Sequence, residues 1–439
     1  MIAHLLGEYR VAEVDPRYHA GRCAHPANIL VAMSITSAEV VVVGAGPSGS
    51  AAAAWAAHGG REVLVIDSCE FPRDKACGDG LTPRAVVELR RLGLGDWLDG
   101  RIRHHGLRMT GFGASVEVPW PGPSFPPVSS AVPRTELDDR IRKAAEDAGA
   151  GMLLGCKAVG VERDSAGRVN QVVLADGRRV GCEWLIVADG ARSPLGRELG
   201  RRWHQDTVYG VAIRGYAASP RAAEPWISSD LELRSAEGQV LPGYGWIFPL
   251  GNGEVNIGVG ALATAKRPAD VALRPLIRHY AGLKGAEWGL DGPPRALSSA
   301  LLPMGGAVSG VAGANWLLVG DAAGCVNPLN GEGIDYGLET GRLAAEILGS
   351  ADLQRAWPAL LAAHYGRGFS VARRLGLLLT LPRFLPLTGP LAMRSTAVMG
   401  VAVRVMGNLV TDADADWVAR VWRRAGGGSR LVDRRKPFS

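Results

Sequence analysis

No run of 18 or more apolar side chains occurs in the 439 residues, so no helix is expected to cross a membrane. No short repeat recurs, which sets aside collagen-like and coiled-coil readings. The six cysteines, Cys23, Cys69, Cys77, Cys156, Cys182 and Cys325, include no Cys-x-x-Cys pair, and none stands at metal-ligand spacing from a histidine. That pattern suits a reduced, cytosolic chain with neither a disulfide framework nor a metal site. A signal-peptide pattern is missing too, because Glu8, Arg10, Glu13, Asp15 and Arg17 interrupt any apolar core near the start. Residues 1–37 are expected to be a disordered extension, with Met33 a candidate natural start.

What is present is ordinary globular material: 47% hydrophobic and 21% charged residues, enough to bury a large core. The 59 glycines, set between apolar runs, fit an α/β protein whose backbone comes close to a ligand. The net charge of +6 is uneven. From Gly341 to the C-terminus there are 14 arginines and one lysine against six carboxylates, so the tail carries +9 and the body about neutral charge. A basic tail fits an anionic surface, membrane or nucleic acid, or simply a solvated face. No aromatic–basic RNA motif or helix-turn-helix pattern supports nucleic acid. The segments Leu377–Leu379, Phe384–Leu387 and Val398–Val405, interleaved with Arg373, Arg374, Arg383, Arg394 and Arg404, suit helices lying in a membrane interface.

Three units of pattern can be told apart along the chain after the extension. Val40–Val43 is a continuous β-branched run, as in a strand buried on both faces. Gly44-x-Gly46-x-x-Gly49 follows, then an alanine-rich helix over 50–58, a second buried strand over 62–66, and Asp67 at its end. Together these form a βαβ unit that places a pyrophosphate at a helix N-terminus and a carboxylate near ribose hydroxyls. Thr82 is a candidate cap for a helix over 83–92, and 134–148 reads as an amphipathic helix. Strands are expected at 106–110, 115–118, 152–154, 158–163, 169–174 and 184–188. From 203 to 302 the pattern turns β-rich, with strands at 209–216, 231–234, 243–249 and 254–260 and a helix over 268–280. Residues 316–319 form a further buried strand. Helices are expected at 332–348, 353–366, 368–381, 390–408 and 413–424, with a frayed end at Gly426–Gly428. The expected organisation is therefore a dinucleotide-binding unit over 38–202 and 303–350, a β-rich substrate domain over 203–302, and a helical, basic C-terminal region over 351–439. No second glycine-motif βαβ unit is visible, so electrons would come from transiently docked NADPH or a redox protein.

Two later motifs narrow the cofactor. Leu185–Asp189-Gly190 is a strand ending in Asp-Gly, and Trp316–Gly320-Asp321 is a strand ending in Gly-Asp, followed by Gly331-Glu332-Gly333. With the glycine turn they resemble the p-hydroxybenzoate hydroxylase-type flavoproteins, an α/β Rossmann-type fold that binds FAD. A carboxylate suits the ribityl hydroxyls, and glycine suits the flavin edge. Phe71-Pro-Arg-Asp-Lys-Ala-Cys77-Gly-Asp-Gly80 and Pro242-Gly-Tyr244-Gly-Trp246-Ile-Phe248-Pro249 resemble, more tightly, the geranylgeranyl reductase family, which saturates isoprenoid double bonds. Gly78–Arg84 and Asn327–Tyr336 look like the branch acting on an isoprenoid quinone. The resemblance spans about 38–410.

It implies that FAD is held by Gly44, Ala45, Gly46, Pro47, Ser48, Gly49 and Asp67. Cys77, Gly78, Asp79 and Gly80 would line it. Arg134, Ala158, Asp189, Asp321, Gly333 and Ile334 would complete the cofactor set. Cys77, Tyr244 and Trp246 are the candidate catalytic residues. A small buried thiol or a proton donor are both open for Cys77, and an apolar sheet face or a cavity wall for the two aromatics. Period-two alternation places Tyr244, Trp246 and Phe248 on one face of their strand. The implied activity is FAD-dependent saturation of one double bond in a membrane-embedded quinone tail, by a protein peripheral on the cytoplasmic face of the cell membrane. The alternatives are a geranylgeranyl-lipid or diphosphate reductase, and a flavin monooxygenase or halogenase. The Trp-x-Trp-x-Ile-Pro motif of halogenases does not occur.

Overall fold

Val40, Val41 and Val42 are fully buried in the strand Ser37–Val43, as a β-branched run covered on both faces must be. The computed structural model describes residues 36–269 and 271–439; of the extension expected over 1–37, residues 1–35 lie outside the described residues, and Ser37 already opens the first strand. Ser37–Val43 is flanked in parallel by Val63–Ile66 on one side and Arg179–Val187 on the other, and Gly151–Leu153 extends the sheet beyond Val63–Ile66. The long strand Arg179–Val187 changes partner along its length. Its start pairs antiparallel with Val169–Leu174, and its end pairs parallel with Trp316–Leu318. Chain from both sides of the β-rich region thus builds one cofactor-type sheet.

The glycine turn is required by geometry. Gly44 has φ +107°, and a Cβ there would overlap the Ala188 carbonyl. A Cβ on Gly49 would overlap the carbonyl of Gly44. The helix Pro47–His58 is therefore seated directly on the sheet, and its alanines are buried. Its other side meets the helix Ile334–Ile347, where a Cβ on Gly341 would stand 2.5 Å from the Ser48 carbonyl oxygen.

A second sheet has the order Arg295–Leu302, Tyr209–Ala218, Glu254–Ala263, Gly243–Pro249, Trp226–Asp230, Gly106–Gly111, Ala114–Pro119. Its last two strands come from chain that precedes the β-rich segment. Two strands of this sheet, Trp226–Asp230 and Arg295–Leu302, escape the sequence pattern. The strand expected at 231–234 is displaced upstream, and only Arg234 makes an isolated bridge, to Val240. The reason is polarity. Ser228 and Ser229 are buried within the first missed strand, and the second mixes arginine, serines and leucines without clear alternation. One face of the sheet is closed by the helix Leu273–Trp288. Its Tyr280 ring lies where a Cβ on Gly245 would be, and Ile247, Ile257 and Trp288 join the same core. On the opposite face Met109 and Ile227 pack with Met393, Met399 and Val403.

The C-terminal helices differ from expectation at two places. The single helix expected over 390–408 is two, Phe384–Ala392 and Thr396–Met406, the second capped by Ser395 accepting from the Val398 N–H. The last helix runs Trp417–Leu431, straight through Gly426–Gly428. A Cβ on Gly426 would meet the Arg367 carbonyl oxygen at 2.6 Å. Glycine there allows this helix to touch Gly366–Leu379, and that packing outweighs its poor helix propensity. Among the described residues no single helix is long and apolar enough to cross a membrane.

Candidate active site

One cavity of about 810 Å³ runs from the glycine turn to the second sheet. Every candidate residue read from the sequence lines it except Ala45, Gly49 and Asp79. Ala45 is buried and contributes its N–H, which donates to Asp67 Oδ2 at 2.6 Å. Gly49 is spent on the close approach to Gly44. Asp67 Oδ1 also accepts from the Cys69 N–H at 2.8 Å, so the carboxylate is pinned at the wall. The helix Pro47–His58 starts with no side-chain cap and no acidic residue in its first turn. Its free N–H groups and positive end therefore face the cavity unopposed, as an anion site requires.

Asp321, in a tight turn after Trp316–Leu318, is bridged by Lys75 Nζ at 3.0 Å. Gly333 stands beside it, and a Cβ there would lie 3.2 Å from Asp321 Oδ1. Ile334 begins the following helix. Asp189 accepts from Ser193 Oγ at 2.5 Å and from the Leu195 N–H at 2.9 Å, so it holds its own turn while facing the cavity. Ala158 opens the strand Ala158–Arg163 at the cavity edge. Arg134 is bound bidentately by Asp138, at 2.6 and 2.8 Å, and Asp138 also holds Arg73 at 2.9 Å. Arg73 in turn approaches the glycine motif: a Cβ on Gly46 would sit 3.2 Å from its guanidinium.

The loop carrying Cys77 is tied to the second sheet by a polar chain. Trp246 Nε1 donates to Asn256 Oδ1 at 2.9 Å. Asn256 Nδ2 donates to Asp79 Oδ2 at 2.8 Å and to the Cys77 carbonyl at 2.9 Å. Tyr216 donates to the same Asp79 oxygen at 2.7 Å. Asp79 is thus turned into the sheet rather than toward a cofactor, and burial pushes its carboxyl up to about 6. Burial also raises the Cys77 thiol, against the opposing pull of Arg134, so it stays a thiol rather than a thiolate. Tyr244, Trp246 and Phe248 do share one face, with ring centroids 5.8 and 6.1 Å apart. The indole overlaps the space a Cβ on Gly258 would take, and Gly78 and Gly80 lie against Phe248. Tyr244 donates to the Asn330 carbonyl at 2.7 Å.

Sequence reasoning missed Arg73, Lys75, Asn256 and Glu332, all placed at or against the cavity. The signal for Asn256 was there: a lone amide inside the apolar strand Glu254–Ala263. Arg73 and Lys75 lie within the motif that carried the resemblance, but only the fold aims them. Among the described residues no cluster of metal ligands occurs.

The residues present fit FAD: an uncapped helix N-terminus behind glycines, carboxylates at two strand ends, and a long cavity whose far half is apolar. The chain matches the FAD binding domain family over residues 37–375. It is 75% identical over 407 residues to a menaquinone reductase of Mycolicibacterium smegmatis, covering 92% of this chain and all of that one. It is 29% identical over 324 residues to a digeranylgeranylglycerophospholipid reductase of Methanosphaera stadtmanae, covering 71% and 75%. Among solved structures, a geranylgeranyl bacteriochlorophyll reductase-like protein of Thermoplasma acidophilum superposes with TM-score 0.68 at 20% identity, covering 85% of this chain and 98% of that one. A flavin-dependent brominase superposes at 0.67 with 19% identity, covering 90% and 99%, a likeness of fold alone.

Proposed function

The chain belongs to the FAD-binding flavoprotein family and, within it, to the menaquinone reductases, and from that premise we infer that it saturates one isoprene double bond in the menaquinone tail. The observation that carries this is 75% identity across the full length of such a reductase. Reduced FAD supplies a hydride when bound; the chain's own residues do the rest. The uncapped helix and Gly44–Gly49 bind the pyrophosphate, and Asp67 and Asp321 take ribose and ribityl hydroxyls. The apolar end, with Met109, Phe112, Leu302 and Met393 in its lining, accepts an isoprenoid chain and excludes water. Trp246 and Tyr244 present aromatic faces where positive charge would build on a tertiary carbon.

The tail enters from a bilayer in this reading. The helices Phe384–Ala392 and Thr396–Met406 line the cavity with Leu385, Ala392, Met399 and Val403. They turn Leu387, Leu391 and Val398 outward, at 70, 70 and 51% exposure. Arg383 and Arg394 flank that patch. We place the protein peripherally on the cytoplasmic face of the membrane, patch inward, with NADPH or a redox protein supplying electrons from the water side. The test is direct. Purified, FAD-loaded protein, chemically reduced and mixed with menaquinone, should yield a quinone two hydrogens heavier by mass spectrometry. Unchanged quinone with full flavin turnover would refute the activity.

A further inference from the structure

Saturating an isolated alkene needs a proton as well as a hydride, and three protic side chains border the aromatic end of the cavity: Cys77, Tyr244 and Glu332. Tyr244 spends its hydroxyl proton on the Asn330 carbonyl. Burial raises its phenol further. The Cys77 thiol is raised as well. Both are poor proton donors to carbon. Glu332 is different, and hydrogen-bond accounting shows why.

Glu332 precedes the helix Ile334–Ile347, and Asp335 lies in its first turn. Glu332 Oε1 and Asp335 Oδ1 are both sealed from solvent, and neither has a hydrogen-bond partner. The remaining Glu332 oxygen takes a long 3.4 Å contact from Asn330 Nδ2, and the Thr82 hydroxyl also reaches the carboxyl. A buried carboxylate oxygen without a donor is costly. A carboxyl that keeps its proton avoids charging such an oxygen, so this site favours a neutral acid. The groups facing Glu332 agree. Burial and then Asp335 push its carboxyl up, Tyr244 and Tyr336 are neutral, and Thr82, Asn330 and Arg84 pull the other way, Arg84 while bound to Glu339 at 2.9 Å. The site therefore favours the neutral carboxylic acid, the form that can donate a proton.

Resting on the reductase reading, we propose that Glu332 is the proton donor to the alkene and that Asp335 behind it restores its proton. The Glu332 O–H bond breaks and a C–H bond forms on the less substituted alkene carbon, using the π pair. The tertiary carbon takes a hydride from the reduced flavin, which is oxidised as the alkene is reduced. The Glu332 carboxylate then regains a proton by way of Asp335. The Tyr244–Asn330 hydrogen bond fixes the loop so that the acid borders the aromatic wall.

The test compares parental, Glu332→Gln and Glu332→Ala proteins, each loaded with FAD. Infrared spectra of the oxidised proteins, with no substrate, should show a carboxylic-acid carbonyl band above pH 7 that shifts in heavy water and is missing from Glu332→Gln. With menaquinone and pre-reduced flavin, Glu332→Gln should be slower by at least about 100-fold, with flavin content unchanged. Added formate should restore part of the rate to Glu332→Ala. A parental protein that makes no saturated quinone would refute the activity itself. A parental protein that does, beside a Glu332→Gln that matches its rate or a spectrum without the acid band, would overturn the proposal alone. Flavin loss in Glu332→Gln, or failure of formate to restore any rate, would do the same, reassigning the residue to cofactor or loop structure.

Discussion

Replacing Asp79 by Asn should stabilise the protein at pH 8 and leave it unchanged at acid pH. Asp79 is fully buried, and burial lifts its carboxyl from the usual 3.8 to about 6. A folded value above the unfolded one means the folded state holds the proton more tightly. The native state is therefore not penalised below about pH 4. It loses stability as pH rises through the window between 3.8 and about 6. Each unit is worth about 1.4 kcal/mol, so above pH 6 the ionised carboxylate costs about 3 kcal/mol. Asn keeps an oxygen for the Tyr216 and Asn256 donors and carries no charge. It also tolerates the φ of +64° at this position. With an unfolding entropy near 2 cal/mol/K per residue, 3 kcal/mol in a chain of this size is a shift of roughly 3–4 °C. Melting curves of FAD-saturated parental and Asp79→Asn proteins from pH 4 to 8.5 measure it, and the difference between the two curves cancels other titrating groups. Two proteins with parallel pH dependence would show that Asp79 is not an unfavourably buried acid. Loss of FAD in Asp79→Asn would show instead that its carboxyl holds the cofactor.

Asp321→Ala should lose much of its flavin while staying folded, since only the Lys75 bridge is removed with the ribityl acceptor; a full flavin spectrum would refute that role. Trp246→Ala should cost about 3–5 kcal/mol, because the indole is 6% exposed. Trp246→Phe should lose about 1 kcal/mol with the Asn256 hydrogen bond and retain part of the activity, and a folded Trp246→Ala acting at the parental rate would remove it from the site. Leu387→Glu with Leu391→Glu should weaken flotation with anionic liposomes without altering the flavin spectrum, and binding of the parental protein should weaken at high salt. Equal flotation of parental and variant proteins would refute the patch.

The glycine turn, its flanking strands and helix, and the face shared by Tyr244, Trp246 and Phe248 were all determined by local sequence. Backbone geometry at Gly44 and Gly49, and the two-residue pleat of a strand, act over a few residues and leave a readable pattern. The candidate cofactor residues Asp67 and Asp321 were legible for the same reason, each just past the end of a buried strand. Polar strands were not. Trp226–Asp230 and Arg295–Leu302 exist because neighbouring strands supply their hydrogen bonds, and nothing in their own periodicity announces it. The helix through Gly426–Gly428 is set by a backbone contact with Arg367, far away in sequence. Asp79 carries the same lesson at the site. Its motif placed it beside the flavin, but Asn256 and Tyr216, more than 130 residues further along the chain, turned it into the sheet. Glu332 was visible only as the middle of a glycine loop. Which of its oxygens finds a donor, and hence whether it holds a proton, depends on how helix, loop and aromatic strand close around it. Local conformation is settled by neighbours in sequence, while charge state and side-chain direction are settled by what burial removes from water.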